Sequence, residues 1–95
     1  AFRDYYVDKV IFSCKALDLQ FGMTESQDLF ASVKRTMMSS GKTNILVVDS
    51  SKFGLISYNV AGDLRDVDII VTDSRPDELW LAYFEENGIS CRYPE

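Results

Sequence analysis

Three aspartates follow apolar, strand-like segments of this chain. Asp18 lies shortly after the segment at residues 9–14, and Asp49 and Asp73 come directly after two further segments. In open α/β sheets, ligands bind outside the carboxyl ends of the strands. We therefore expect the three carboxylates along one edge of a sheet, where they could accept hydrogen bonds from the hydroxyls of a small polar molecule. Capping of a turn or a helix remains the alternative role for each of them.

The densest group of polar side chains is the segment at residues 49–54, which reads Asp-Ser-Ser-Lys-Phe-Gly. It places a carboxylate, two hydroxyls and an amine within one turn of a strand end. Lys52 is a suitable partner for a phosphate group, and Gly54 permits a tight bend. The segment is not a phosphate-binding loop of the Gly-rich kind, because neither glycine pattern of that kind is present. A solvated surface loop remains the alternative interpretation.

A second group of candidates surrounds a predicted helix start. Gly22 and Thr24 precede a helix whose first N–H groups could contact an anion, and Lys34 lies further along the same helix. Arg35 and Lys42 are explained by the helix dipole alone. The predicted ligand-binding residues are therefore Asp18, Gly22, Thr24, Lys34, Asp49 and Lys52.

Composition excludes several classes of function. The chain has no histidine, which removes His-based acid–base catalysis and the usual zinc and haem ligand sets. Ten basic and fifteen acidic side chains give a net charge of -5, so direct nucleic-acid binding by this segment is disfavoured. We predict no catalytic residue, no metal and no cofactor.

Size and cysteine content predict one small intracellular domain. Ninety-five residues accommodate a single domain, residues 1–95. The two distant cysteines, Cys14 and Cys91, are typical of buried free thiols in a reducing cytoplasm, although Lys15 could activate Cys14. No apolar run reaches the roughly 20 residues needed to span a bilayer. The first residues lack an initiator Met, which suggests a fragment.

The hydrophobic pattern predicts alternating strands and helices. Apolar, β-prone runs lie at residues 9–14, 44–48, 68–72 and 89–92. One amphipathic helix is expected from Thr24, with a capping box to Gln27, to about Ser39 before Gly41. Its apolar face carries Leu29, Phe30, Val33 and Met37. A second helix, with Pro76 in its first turn, presents Leu79, Trp80, Tyr83 and Phe84 and ends at residues 87–88. A polar stretch with Asp18 and Gly22 follows the first run. A weaker, irregular stretch through Tyr58, Gly62 and Leu64 is expected to be a loop between the second and third strands.

This order favours an α/β fold with a mainly parallel sheet and flanking helices. Continuous apolar strands are typical of sheets that are covered on both faces. Four strands and two helices would leave part of such a sheet uncovered. Another polypeptide segment or a second subunit would have to complete it.

The chain resembles a known family of bacterial regulators along nearly its whole length. The similarity lies in Leu-Asp at residues 17–18, Gly-Met-Thr at 22–24, Ser-Val-Lys-Arg-Thr-Met at 32–37, Asp-Ser-Ser-Lys-Phe-Gly at 49–54 and Asp-Val-Asp-Ile-Ile-Val-Thr-Asp at 66–73. In this order and spacing, the motifs resemble the C-terminal sensor domain of the DeoR family of sugar-metabolism repressors.

The resemblance implies a fold like that of ribose-5-phosphate isomerase, only partly contained in this chain. It also implies a cytoplasmic homo-oligomer that binds a phosphorylated sugar effector and reaches DNA only through a missing N-terminal helix-turn-helix domain. Asp18 would bond a sugar hydroxyl, Lys52 would meet the phosphate, and Gly22 with Thr24 would shape the turn. No membrane contact is implied.

The sequence departs from this family at two acidic positions. Residues 13–16 read Ser-Cys-Lys-Ala where the family often has Gly-Ala-Asp-Gly, and Ser32 stands where a Glu commonly precedes Val-Lys. The loss of two acids makes a sugar-phosphate isomerase the less favoured alternative, because that reaction needs a general base. A ligand-free oligomerisation module remains open. A phosphoacceptor receiver domain is disfavoured, since the first strand does not end in an acidic pair.

Overall fold

The computed structural model of the protein describes residues 7–94 and contains two small sheets and two α-helices. The first sheet has four parallel strands in the order β1-β4-β6-β7, and the second has three antiparallel strands in the order β2-β3-β5. In chain order the elements are β1 (Val7–Phe12), β2 (Ala16–Asp18), β3 (Gly22–Glu25), α1 (Asp28–Ser40), β4 (Gly41–Val47), β5 (Asn59–Gly62), β6 (Ile69–Val71), α2 (Glu78–Glu86) and β7 (Ser90–Arg92).

The parallel sheet confirms the predicted fold class. All four apolar runs of the sequence form its strands, and α1 and α2 provide the crossovers from β1 to β4 and from β6 to β7. Leu46 in β4 and Ile70 in β6 are paired in register and fully buried. Runs of β-branched and aliphatic residues form such strands because their side chains pack well on a pleated surface.

The second sheet corrects the prediction of a loop through Tyr58, Gly62 and Leu64, and it also contains the polar stretch with Asp18 and Gly22, for which no strand was predicted. β2 and β3 form a hairpin, and β5 pairs with the other edge of β3. Each strand is only three or four residues long, which is too short for an alternating pattern to stand out in the sequence. Burial nevertheless explains them, because Met23 of β3 and Ala61 of β5 lie in the core.

The predicted N-cap of α1 is wrong by three residues. Thr24 belongs to β3 and is buried, and its hydroxyl accepts a hydrogen bond from the Ser57 N–H at 2.8 Å. Gln27 is the N-cap residue instead, and its side chain makes no capping bond. The capping box fails because the hairpin places Thr24 in a strand, where its backbone is already paired. The predicted end holds, since the helix stops at Ser40, directly before Gly41.

The apolar side of α1 faces outward, against expectation. Leu29, Phe30 and Val33 are 68%, 47% and 41% exposed, whereas Ala31 and Met38 pack into the core. Helical spacing shows that these apolar residues share a face, but it does not show which face the rest of the chain covers.

Helix α2 closes over an aromatic cluster. Asp77 caps the helix by accepting a hydrogen bond from the Trp80 N–H at 3.1 Å, so Pro76 precedes the cap rather than lying in the first turn. Trp80 and Phe84 are buried and contact the ring of Phe53, with centroids 4.8 and 6.4 Å away. Leu79 of the predicted apolar face is exposed.

One face of the parallel sheet is left open, as the element count predicts. Val10, Phe12 and Leu46 point into the core. The alternating residues on the opposite face include Ile11 and Val47, which are 64% and 44% exposed. Parallel sheets are normally covered on both sides, so this face is a conspicuous apolar surface of the 95-residue chain.

Candidate functional site

The carboxyl ends of β4 and β6 place two of the predicted aspartates side by side. Beyond β4, the Val48 N–H donates to the Val71 carbonyl at 3.0 Å, which keeps the two segments together past the last strand residues. The Asp73 carboxylate then accepts a hydrogen bond from the Ser50 N–H at 2.7 Å. The structure therefore brings the loop after β4 and the loop after β6 into direct contact.

Asp49 shapes the loop at residues 49–54. Its carboxylate accepts hydrogen bonds from the N–H of Ser51 at 2.9 Å and from the Ser51 hydroxyl, and so caps the short 3-10 helix Ser50–Lys52. The hydrogen bonds from Ser51, together with the charge of Lys52, hold the pKa of Asp49 below its ordinary value. Asp49 is therefore an exposed carboxylate that serves first as a cap.

Asp18 does not lie at this edge, contrary to the prediction. It ends β2 of the antiparallel sheet, and its carboxylate accepts hydrogen bonds from the N–H groups of Gln20 and Phe21 at 2.9 and 3.0 Å. These bonds tighten the hairpin turn, which is a common role of Asp. The expectation of three carboxylates along one edge failed because the second sheet intervenes after β1.

The loop of residues 49–54 is nevertheless tied to that second sheet. The Gly54 N–H donates to the Leu17 carbonyl at 2.7 Å, and Leu17 bridges to Phe53. Gly54 adopts a φ of 82°, a conformation that favours glycine. This anchoring holds the loop that carries Lys52, which is half-buried, beside β2.

Lys34 lies on the inner side of α1 and meets the carboxylate of Glu25. Its Nζ forms an ion pair with Glu25 Oε2 at 3.0 Å, and the Lys15 N–H donates to the same oxygen at 2.7 Å. The Glu25 side chain is 6% exposed and the Lys34 side chain 20%. Only the placement of β3 beside α1 reveals Glu25, since no sequence motif marks it.

Cys14 directly precedes Lys15, whose N–H contacts Glu25. Its thiol is buried and donates to the Ala16 carbonyl at 3.4 Å. Burial, reinforced by the charge of Glu25, raises the pKa of Cys14 to about 12 in spite of the opposing charges of Lys34 and Lys52. Lys34 and the loop that carries Lys52 both adjoin the hairpin of β2 and β3, the first through Glu25 and the second through Leu17. A packed thiol, rather than one activated by Lys15, is what the structure shows.

Gly22 and Thr24 serve the hairpin rather than a helix start. Gly22 has a φ of 77°, and a Cβ there would lie 2.5 Å from the Gly62 carbonyl oxygen. Gly22 also borders a cleft of about 510 Å³ between the hairpin turn and the end of α2, apart from the two lysines. Within residues 7–94, no group of three or more acidic or cysteine side chains is arranged to hold a metal ion.

Comparison with known proteins decides the family. The chain matches the model of the DeoR C terminal sensor domain over residues 1–74. It is a DeoR-family sensor domain. Among the relatives, it is 33% identical over 85 residues to the uncharacterized HTH-type transcriptional regulator YulB of Bacillus subtilis, an alignment that covers 90% of this chain and 33% of that protein.

Two further relatives of this sensor domain have functional names. The L-fucose operon activator of Haemophilus influenzae is 36% identical over 85 residues, which is 88% of this chain and 34% of that protein. The deoxyribose operon repressor of Escherichia coli is 38% identical over 61 residues, which is 64% of this chain and 24% of that protein. The chain thus spans about a third or less of the length of these relatives. Neither α1 nor α2 is long and apolar enough to cross a membrane.

Proposed function

We propose that this DeoR-family chain is the C-terminal portion of an effector-sensing domain that binds a phosphorylated sugar intermediate. The observation that carries the proposal is the loop after β4, which the Ser50 N–H ties to Asp73 at 2.7 Å and which carries the half-buried Lys52, with Lys34 of α1 as a second cation. Two ammonium groups from separate elements suit a phosphate group, which is dianionic near neutral pH and binds lysine as a point charge.

The two lysines would have different parts in such a site. Lys52 forms no ion pair with another residue of the 7–94 range, and it follows the strand edge at which α/β sheets bind ligands. It is therefore the proposed primary phosphate partner. Asp49 and Asp73 hold the loop that carries it, and the hydroxyls of Ser50 and Ser51 add polar groups that suit a sugar.

The relatives support a regulatory rather than a catalytic role. The names of two of them refer to operons for L-fucose and deoxyribose. By analogy, sugar binding here would control DNA binding by a separate N-terminal helix-turn-helix in a cytoplasmic, homo-oligomeric repressor. The effector can do so only if its affinity differs between two arrangements of the protein.

A titration with ribose 5-phosphate tests this proposal. Substitution Lys52→Ala should weaken binding at least about tenfold, because it removes the charge that meets the phosphate. Isothermal calorimetry on the protein and its variants measures the affinity, and ¹⁵N–¹H spectra locate the shifts. Unphosphorylated ribose should bind far more weakly than the phosphate ester.

Lys42→Ala is the matched control, since Lys42 is an exposed lysine in β4, near the opposite end of the strand. It should leave the affinity unchanged. Equal losses from both substitutions would point to nonspecific charge effects and overturn the assignment of Lys52. Turnover of ribose 5-phosphate in the same spectra would instead favour the isomerase alternative.

A further inference from the structure

A cleft of about 510 Å³ lies between the hairpin turn after β2, the end of β5 and the end of α2. Its volume falls within the range of roughly 300–1,000 Å³ that is typical of small-molecule sites. Gly22 and Gly62 form part of its lining, where they present backbone rather than side chains. Lys34 and Lys52 are not part of the lining, so the cleft is separate from the proposed phosphate site.

One side of the cleft carries a rigid ion pair. The Asp63 carboxylate accepts hydrogen bonds from the Arg65 backbone N–H at 2.8 Å, from Nε at 3.1 Å and from Nη2 at 2.7 Å. These bonds use one edge of the planar guanidinium, and the edge formed by its two terminal nitrogens has no protein partner within residues 7–94. Because Asp63 fixes the plane, the free edge is a preorganised pair of hydrogen-bond donors.

The opposite side of the cleft, from α2, supplies acceptors and a hydroxyl. The Asn87 Nδ2 group donates to the Tyr83 carbonyl at 2.9 Å, which leaves the side-chain oxygen of Asn87 as an acceptor. Glu86 is exposed and forms no ion pair with another residue of the 7–94 range. Burial, reinforced by the charge of Asp63, raises the pKa of Tyr83, so that its hydroxyl keeps its proton and can both donate and accept.

Phe21 adds an aromatic face to these polar groups. The turn that carries it is held by Asp18, whose carboxylate accepts a hydrogen bond from the Phe21 N–H at 3.0 Å. The side chain is 48% exposed, and its ring does not stack on any other ring in the described part of the chain. Such a ring can pack against the C–H face of a ligand whose polar groups reach the two sides of the cleft.

We propose that this cleft is a second ligand site, for an uncharged monosaccharide. Sugar hydroxyls both donate and accept hydrogen bonds, which matches the free edge of Arg65, the oxygen of Asn87 and the hydroxyl of Tyr83. The apolar face of a sugar ring matches Phe21. A few fixed polar groups beside an aromatic surface are the usual composition of a small-molecule site.

The charge of the lining separates this ligand from a phosphorylated sugar. Two acidic side chains, Asp63 and Glu86, and one basic side chain, Arg65, line the cleft. A phosphate dianion would therefore meet net repulsion, whereas a neutral sugar would not. The proposal goes beyond the proposed function and does not rest on it, because the cleft binds its ligand without the loop that carries Lys52.

Titration of the 95-residue chain with D-glucose, D-galactose and L-fucose tests the cleft. We expect at least one of these sugars to bind with a dissociation constant of about 1 mM or tighter. In ¹⁵N–¹H spectra, it should shift the signals of residues 20–22, 63–65 and 83–87. Ribose 5-phosphate should leave these signals in place.

Two substitutions remove groups that would hold the sugar. Phe21→Ala and Arg65→Ala should each weaken binding at least about tenfold, because they remove the stacking ring and the donor edge. Phe30→Ala is the matched control and should leave the affinity unchanged, since Phe30 is 47% exposed but lies on α1, outside the cleft. Lys52→Ala should also bind the sugar as the unmodified chain does. Thermal unfolding by circular dichroism shows whether each variant is folded.

The outcomes separate this proposal from the proposed function. If none of the three sugars shifts the signals of the cleft, the proposal is wrong, whatever the affinity for ribose 5-phosphate. Shifts confined to residues outside the cleft, or equal losses from Phe21→Ala and Phe30→Ala, would also overturn it. Loss of sugar binding in Lys52→Ala would mean that one site binds both kinds of ligand, and the separate cleft site would be refuted.

Discussion

At the scale of single residues, Cys14 reports most directly on the interior of the site. Its thiol is buried, the pKa is raised to about 12, and Cys91 is only half-buried. Because the thiolate is the reactive form, iodoacetamide at pH 8 should modify Cys91 first and Cys14 at least about ten times more slowly. Mass spectrometry of peptides from quenched samples measures both rates.

The unfolded protein is the control for this difference, because in urea both thiols should react at similar rates. Equal rates in the folded protein would show that the region around Cys14 opens easily or is not buried. Faster reaction of Cys14 than of Cys91 would indicate activation by Lys15 or Lys34 and would contradict the packed thiol described above.

The raised pKa of Cys14 also predicts how the free energy of unfolding depends on pH. The pKa of Cys14 is about 12 in the folded chain and 9.0 when unperturbed. Below pH 9 the folded and unfolded states both keep the proton of the Cys14 thiol, so the stabilising contribution of the buried thiol is fully present. Between pH 9 and about 12 the unfolded state loses the proton first, so the free energy of unfolding falls as the pH rises. Urea unfolding across this pH range should show a smaller fall in the free energy of unfolding for Cys14→Ala than for the unmodified protein.

At the scale of elements, the hairpin of β2 and β3 depends on a glycine. Gly22 has a φ of 77°, and a Cβ there would lie 2.5 Å from a backbone oxygen of Gly62. Gly54 has a similar φ of 82°, with nothing within 4 Å of a Cβ. The two positions separate conformational strain from steric overlap.

Alanine substitutions at these glycines should therefore differ in cost. Gly54→Ala should lower the free energy of unfolding by about 1–2 kcal/mol through backbone strain alone. Gly22→Ala adds the clash with β5 and should cost about 2–5 kcal/mol. Urea unfolding monitored by the fluorescence of Trp80 gives both values. Equal costs would mean that the second sheet yields easily at this point.

The elements that the sequence predicts best are those with strong local signals. The strands around Leu46 and Ile70 were correct because continuous aliphatic runs have few other uses in a chain of this size. The end of α2 at Asn87 was correct because Gly88 adopts a φ of 69°, as a glycine after a helix commonly does. The start of α1 was wrong because a Thr followed by polar residues fits a helix cap and a strand equally well.

The candidate site was predictable only in part, for a related reason. Asp49 and Lys52 follow a strong strand, so their place at its carboxyl end could be read from the sequence. Glu25 could not be found in this way, because its importance comes from its contact with Lys34, nine residues away on another element. Asp18 was misplaced because the sequence gives no sign of the antiparallel sheet that carries it.

At the scale of the whole molecule, the open face of the parallel sheet is the main unsatisfied feature. The pairs Ile11–Ile45 and Val47–Val71 lie in register across neighbouring strands on this face. Ile11 and Val47 are exposed, and the other two are half-buried. The proteins related to this chain are about three times as long, so such a surface in a 95-residue chain is not in itself anomalous.

The physical consequence of this face is self-association, because large apolar patches drive contact between molecules. Sedimentation velocity over a series of concentrations should show the chain moving from monomer toward larger species. The double substitution Ile11→Lys and Val47→Lys should suppress this shift, since it places charges in the patch. It should change the free energy of unfolding by no more than about 2 kcal/mol, since strand preferences span about 1 kcal/mol at each of the two sites.

Leu79→Lys tests whether the open face itself is responsible. Leu79 is as exposed as Ile11 but lies on α2, so its substitution should leave the association unchanged. If Leu79→Lys suppressed association as strongly as the double substitution, apolar exposure in general would be the cause. If the unmodified chain stayed monomeric throughout the series, the prediction would be wrong, and the exposed rows of Ile and Val would be too small a surface to hold two copies together.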